Sequence, residues 1–180
     1  MPPFAVRAAT AADLTRVLTL VTQMFCDLGT TVTSTSWEAA ARDRLTSTDV
    51  GTFVAVDATD RPIAVAVGVV DRRLPSPRRP TGLIGYLEWL ATDPRHRRRG
   101  AARLAVTALL AWFDDQGVTA IDVHASPAAR PLYERLGFRT PACPAPLHRR
   151  RTRGTWPATS RGEPPSAPSA VAHLRSPSTS

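Results

Sequence analysis

Apolar positions recur along this chain in two rhythms. Leu14, Val17, Leu18, Val21, Met24 and Phe25 are spaced by three and four, the stripe by which a helix covers a sheet. FAVRAAT before it reads as a short strand. Thr10, followed three residues on by Asp13, supplies an N-cap with an acidic first-turn partner, so the helix is expected from about Ala11. A Thr- and Ser-rich link without periodicity reads as a loop, and Ser36 is placed to cap a second helix over WEAAARDRLTS.

The rhythm then changes. TFVAVDA and PIAVAVGVVDRR are valine-rich strands joined by the turn signal DATDRP, which predicts an antiparallel hairpin. Beyond LPSPRRPTG comes another strand, LIGYLEWLAT, stopped at Asp93-Pro94. From Gly100 to Gln116 the spacing is helical, with Leu104, Ala108 and Trp112 on one stripe and Gly117 as terminator. VTAIDVHA is the next strand. Ser126-Pro127 opens a short helix that closes at Gly137, with Pro131 inside it at the cost of one backbone bond. The order predicts an α/β domain: a mixed, mainly antiparallel central sheet flanked by about four helices. Past Phe138 the signal decays, since Pro141, Pro144 and Pro146 oppose a central strand there.

A chain of 180 residues with 43% hydrophobic and 21% charged residues fits one water-soluble domain. The longest apolar run, Ile63 to Val70, is far below the roughly 20 residues of a membrane span. The N-terminus has none of the features of a secretory signal, which predicts a cytoplasmic location. Cys26 and Cys143 match no redox or metal spacing and read as buried or half-buried small residues. The net charge of +8 is concentrated: residues 148–180 hold six arginines against one glutamate. All 23 cationic residues are arginine, a bias that lowers the weight of any single one. The expected organisation is a folded domain over 1–147 and a basic Pro/Ser/Arg-rich tail over 148–180, with too little apolar surface to repay ordering.

Chemistry enters at LEWLATDPRHRRRGAARLAV, where a strand breaks at a proline, crosses an arginine-rich loop and enters a helix at a glycine. The first turn of a helix carries N–H groups without intrahelical partners and the positive end of the helix dipole, so an anion such as phosphate fits there. Gly100 permits close backbone approach, and Ala101 and Ala102 keep bulk away. A helix start with a solvated basic face would look similar.

At these residues the chain resembles the GNAT superfamily of N-acetyltransferases. Its signature Arg/Gln-x-x-Gly-x-Gly/Ala is met by Arg97-Arg98-Arg99-Gly100-Ala101-Ala102, and PLYERLGF, about thirty residues on, matches its second signature. The resemblance spans residues 4 to about 140. It implies that the loop Arg97–Ala102 cradles the pyrophosphate of acetyl-coenzyme A through backbone N–H groups. It also implies that Leu90, Ala91 and Thr92 leave edge groups free for the pantetheine arm, beside a strand bulge, where a main-chain N–H meets the acetyl carbonyl.

The resemblance further places Tyr133 at the family tyrosine that protonates the departing thiolate; a tyrosine packed on the sheet is the alternative. Ser126 stands where many members carry a coenzyme-contacting asparagine, and it either binds the coenzyme or caps the helix. Glu88 is the candidate general base. By period two it shares a face with Leu90 and Thr92, and its apolar neighbours would raise its pKa; an exposed strand glutamate is the alternative. His124 at a strand end is a second candidate base. The spacing of the histidines suggests no metal site.

The expected reaction is acetyl transfer from acetyl-coenzyme A to an amine by direct attack. Family breadth favours a small-molecule acceptor over a protein, and the sequence leaves acceptor and oligomeric state open. Two other readings stand beside it: an acyl-coenzyme A-binding module without turnover, and a nucleic-acid-binding protein using the arginine clusters. Against the latter, aromatic residues make up only 6% and do not interleave with the arginines.

Overall fold

The computed structural model describes residues 4–33, 36–77 and 79–140. The proline-rich stretch past Thr140 and the tail 148–180 lie outside the described residues. In chain order the elements are β1 (Ala5–Ala8), α1 (Leu14–Asp27), α2 (Ser36–Leu45), β2 (Val50–Val56), β3 (Pro62–Arg72), β4 (Leu83–Thr92), α3 (Ala101–Asp115), β5 (Ile121–Val123) and α4 (Arg130–Arg135). The strands lie side by side in that order. β1 to β4 are antiparallel neighbours, and β5 runs parallel to β4 because α3 carries the chain back along the sheet between them. This is the mixed, mainly antiparallel α/β sheet with four helices that the sequence predicts.

One short 3₁₀ turn, Ala11–Asp13, precedes α1. Its Asp13 carboxylate accepts from the Thr10 N–H at 2.7 Å and the Thr10 hydroxyl at 2.9 Å, while Arg7 grips it at 2.7 and 3.1 Å. Asp13 is buried, and Arg7 holds its pKa down to about 2 despite the opposing effect of burial. The capping pair read from the sequence, Thr10 with Asp13, is thus present, and its carboxylate also forms an ion pair with Arg7 that fixes the end of β1 against the start of α1.

The sheet is covered on both faces. Leu14, Val17, Leu18 and Val21 of α1 pack with Val54, Val56, Val65, Val67 and Ala91 on one face. Val106, Leu109 and Phe113 of α3, with Tyr133 of α4, pack with Ala66, Leu87 and Leu90 on the other. A strand covered on both sides has no polar alternation to show, which is why β3 is buried continuously from Pro62 to Gly68 and reads as one apolar run.

Three expectations are corrected. The buried stripe of α3 is Ala101, Ala105, Leu109 and Phe113, one position round from Leu104, Ala108 and Trp112, which are half-buried. The small alanines let the helix lie close to the sheet, and the strands meet it with glycines. A Cβ built on Gly51 would stand 2.5 Å from the Trp112 ring, and one on Gly68 2.5 Å from the Phe113 ring. Second, α4 begins at Arg130, so Pro131 sits in its first turn, where its missing N–H breaks no helical bond. Third, Cys26 is exposed, on the outer side of the last turn of α1.

Gly68→Ala is expected to destabilise the protein by about 1–3 kcal/mol, because neither Phe113 nor the strand can yield the missing space without strain. Urea unfolding of the variant against the wild type measures it; an unchanged midpoint would show that α3 sits on the sheet with slack.

Candidate functional site

The site is organised by an irregularity in β4. Val67 of β3 pairs with Trp89 and the adjacent Gly68 with Leu87, so Glu88 is an extra residue opposite no partner, a β-bulge. The bulge reverses the alternation of the strand. Leu87 and Leu90 both pack on the α3 face, whereas Trp89 and Ala91 pack on the α1 face. Glu88 therefore does not share a face with Leu90 as a period of two predicts; it lines a cavity together with Ile84 and Tyr86.

The pairing with β5 ends at the same point. β5 matches Gly85, Tyr86 and Leu87 to Ile121, Asp122 and Val123 and goes no further. From Glu88 to Thr92 the β4 edge toward β5 has no strand partner among the described residues, while Leu90, Ala91 and Thr92 remain paired to β3 on the other side. These five residues span roughly 16 Å, and the N–H and C=O groups they turn toward that side have no ladder partner among the described residues, the Thr92 carbonyl alone being taken by the Arg97 side chain.

That edge leads into the loop between β4 and α3. Asp93 caps the turn after β4 by accepting from the Arg95 N–H at 3.0 Å, and it receives Arg16 of α1 at 2.5 Å. Burial acts to raise its pKa, but these donors outweigh it and leave the carboxyl below its ordinary value. The backbone then turns left-handed at Arg98 (φ 58°) and again at Gly100 (φ 92°), immediately before α3. At Gly100 a Cβ would meet nothing within 4 Å, so conformation rather than space is what favours glycine there. The first helical bond of α3 runs from Leu104 N–H to Gly100 C=O. The N–H groups of Ala101, Ala102 and Arg103 therefore have no intrahelical acceptor, and they stand at the positive end of the helix.

The arginines of this loop are less available than the sequence suggests. Arg97 donates to the Thr92 carbonyl at 3.3 Å and pairs closely with Asp27 at the end of α1. Arg99 lies over the Phe4 ring, 5.4 Å from its centroid. What the loop leaves open is consequently mostly main chain, with Arg98 the loop arginine not engaged in these contacts.

Around Glu88 the cavity has a volume of about 310 Å³ and is bordered by Arg44, Asp49, Asp71, Arg73 and Tyr86. Arg44 is held by Asp49 at 2.5 and 2.6 Å, and Arg73 by Asp71 at 3.0 Å. Glu88 alone among these carboxylates has no ion pair or hydrogen bond among the described residues. Glu88 is exposed, as its alternative reading as a strand glutamate had it, yet partial desolvation of the carboxyl still raises its pKa, against the pull of the Arg44 and His124 charges. The Tyr86 hydroxyl and His124 Nδ1 form a close hydrogen bond across the end of the β4–β5 pairing. Sequence reasoning passed over Tyr86, although its place two residues before Glu88 on one strand was the available signal.

Tyr133 lies on the other face of the sheet. It is 4% exposed, its ring stands 5.4 Å edge-on from Phe138, and burial pushes its phenol up to about 12. Its hydroxyl has no hydrogen-bond partner among the described residues. Ser126 accepts from the Ala129 N–H at 3.3 Å through its hydroxyl, the capping alternative for this residue. Among the described residues no group of three or more His, Cys, Asp or Glu side chains converges on a metal-sized space, and no helix is long and apolar enough to cross a membrane.

A family model described as the acetyltransferase (GNAT) family matches residues 18–138. Among curated proteins none matches the chain. Solved structures do. A predicted acetyltransferase with acetyl-CoA from Clostridium acetobutylicum superposes with a TM-score of 0.70 at 20% identity, over 81% of this chain and 96% of that one. A GCN5-related N-acetyltransferase from Ralstonia eutropha JMP134 gives 0.70 at 23% identity, over 81% and 98%. Glucosamine-6-phosphate N-acetyltransferase from Arabidopsis thaliana gives 0.63 at 18% identity, over 81% and 97%. At these identities the likeness is one of fold.

The protein has two tyrosines, and burial is the first cause raising both. Tyr133, with its folded value above the unfolded value of about 10, contributes stability that is complete below about pH 10 and is lost as the pH climbs toward about 12. Alkaline titration followed by near-ultraviolet tyrosinate absorbance is expected to show little ionisation at pH 10 and a late rise that coincides with unfolding. Half-ionisation near pH 10 in the folded protein would contradict the burial.

Proposed function

Because this chain belongs to the acetyltransferase (GNAT) family, we propose that its domain over 1–147 moves an acetyl group from acetyl-coenzyme A to the amine of a small acceptor by direct attack. The observation that carries this reading is the open edge of β4, which starts at the unpaired carboxylate Glu88 and runs into the helix N-terminus at Gly100. In it the pyrophosphate sits on the main chain of Arg97–Ala102, with Arg98 free to screen its charge. The pantetheine arm adds to the edge Leu90–Thr92 as a further strand would, and a main-chain N–H there receives the acetyl oxygen as it becomes an oxyanion. Ser126 caps the turn before α4 and thereby holds Tyr133 in place.

The two faces divide the proton chemistry. Glu88, on the α1 face, takes a proton from the acceptor ammonium, and its raised pKa brings it closer to that task. The amine nitrogen attacks the thioester carbon, the C–N bond forms, and the C–S bond breaks as the tetrahedral intermediate collapses. Tyr133, on the α3 face, gives its proton to the departing thiolate, and the second proton of the attacking nitrogen, shed as the C–S bond breaks, passes through water to restore the phenol; the high pKa of the phenol keeps its proton in place across the neutral range until then. The charged rim about Glu88 is already paired within itself, so the lone carboxylate is the feature that attracts an ammonium.

Free-thiol release across a panel of amines tests the activity, and an acceptor-independent rise in melting temperature with acetyl-coenzyme A tests the binding. Tyr133→Phe keeps the ring and removes the proton, and it is expected to slow single turnover by roughly 10²- to 10⁴-fold with little change in coenzyme affinity. A single-turnover rate equal to wild type from about pH 6 to 9 would leave Tyr133 as a packing residue.

Glu88→Gln removes the base. The wild-type kcat/KM is expected to fall on the acid side as Glu88 protonates, at a pH above the ordinary carboxylate value of about 4.3. The variant is expected to lose about 10²-fold or more and to lose that acid limb with it. A variant that kept the limb would assign the proton to another group.

A further inference from the structure

The cavity of Glu88 carries information about the kind of amine it accepts. Its apolar lining is Ile84 and Tyr86 of β4 with Val69 of β3. Ile84 is 2% exposed, and the Tyr86 hydroxyl is occupied by His124, so Tyr86 offers the cavity its ring. Trp89, the next residue after Glu88, turns instead to Phe25 and Trp37, edge to face with centroids 5.8 to 6.3 Å apart. The cavity therefore runs from Glu88 back toward Ile84, roughly 13 Å along the strand.

Two arginines and three carboxylates border this space, and four of these five charges cancel in pairs. Arg44 is held by both oxygens of Asp49. Arg73 is held by Asp71, which stands opposite Ile84 in the β3–β4 ladder, at the end away from Glu88. With side-chain exposures of 46% to 57%, both pairs contribute little to stability. Their effect on the cavity is electrostatic: they leave it a single negative charge, on Glu88. A second ammonium on an acceptor finds no unpaired carboxylate there among the described residues. A carboxylate finds no unpaired cation and meets the repulsion of Glu88.

Resting on the acetyl-transfer reading above, we propose that the acceptor is a primary monoamine with an apolar chain or ring and no second charge, and that the pairs Arg44–Asp49 and Arg73–Asp71 select it. A cavity of about 150 Å³ accepts benzene, so one of about 310 Å³ holds a body of at most about a dozen non-hydrogen atoms. The body gains by leaving water along Ile84 and Tyr86, and the ammonium gains from Glu88. In the transfer the ammonium loses two protons, one appearing on the coenzyme thiol and one in solvent. The products are the neutral N-acetyl amine and free coenzyme A, so the product no longer carries the charge that Glu88 attracts.

Hexylamine, hexamethylenediamine and ε-aminocaproate share a straight chain and a reacting amine and differ at the far end. Their kcat/KM values with the full chain and saturating acetyl-coenzyme A, read from free-thiol release, test the selection. Hexylamine is expected to exceed each of the others by at least about 10-fold. Asp71→Asn leaves Arg73 uncompensated and is expected to raise ε-aminocaproate against hexylamine by about 5-fold; Arg73→Gln leaves Asp71 uncompensated and is expected to do the same for hexamethylenediamine. A pair with a structural role alone would not move the two ratios in opposite senses. Equal values for the three amines, or a preference for either charged chain, would overturn the selection and leave acetyl transfer standing. Thiol release with none of the three, while acetyl-coenzyme A still raises the melting temperature, would place the acceptor in another class and refute the proposal. No rise in melting temperature would overturn the coenzyme reading itself. A hexylamine preference unchanged in both variants would take the selection away from these pairs.

Discussion

The structure depends on what happens to backbone hydrogen bonds at Glu88. A strand inside a sheet must pair its N–H and C=O groups on both sides, because an unpaired group buried from water costs about as much as a lost hydrogen bond. β4 satisfies this as far as Leu87, then takes in one extra residue and loses β5 as a neighbour. The open groups that follow are tolerable only at the surface or with a partner, and a polar, extended ligand arm supplies the same kind of partner as a strand. The same extra residue turns Leu87 and Leu90 toward α3 and Trp89 toward α1, so the bulge decides which side chains face which half of the site.

Helix α1 is bound to this region by polar ties as well as by its apolar stripe. Arg16 reaches the Pro62 carbonyl at 3.0 Å and Asp93 at 2.5 Å, and Asp27 holds Arg97. Both acidic partners are thereby kept ionised. Arg16–Asp93 is largely shielded, with side-chain exposures of 21% and 17%, whereas Asp27–Arg97 is solvent-exposed and contributes little to stability. The value of the exposed pair is geometric. It sets the end of α1 at a fixed place beside the turn into α3, and it occupies one arginine of that turn.

Helix α3 shows the opposite kind of constraint, steric closeness. Alanines on the helix and glycines on the strands bring Trp112 and Phe113 against the sheet, which fixes the start of α3, and so Gly100, relative to the open edge of β4. Tyr133 is buried in the same cluster, so the proposed acid is aligned by the packing that orients the anion loop.

The elements and their order were legible in the sequence because they rest on local causes: period-two and period-3.6 spacing, the Thr10–Asp13 cap, the stop at Asp93-Pro94 and the glycines ending the helices. The turn from Arg97 into α3 was legible for the same reason, since Arg97 to Ala102 form one continuous entry to a helix. The direction of each side chain in β4 was not. A bulge is specified by the register against β3, and nothing in the alternation of YLEWL marks Glu88 as the extra residue, so the inference that it shares a face with Leu90 failed. The buried stripe of α3 was misplaced by one position because alanine carries little hydrophobic signal, and its burial follows from glycines on three other strands. Tertiary structure likewise decided that Arg97 serves Asp27, that Tyr86 meets His124, and that three aromatic rings from α1, α2 and β4 converge. Each of these joins residues far apart in the chain, and such contacts are set by how the layers close on one another rather than by neighbours in sequence.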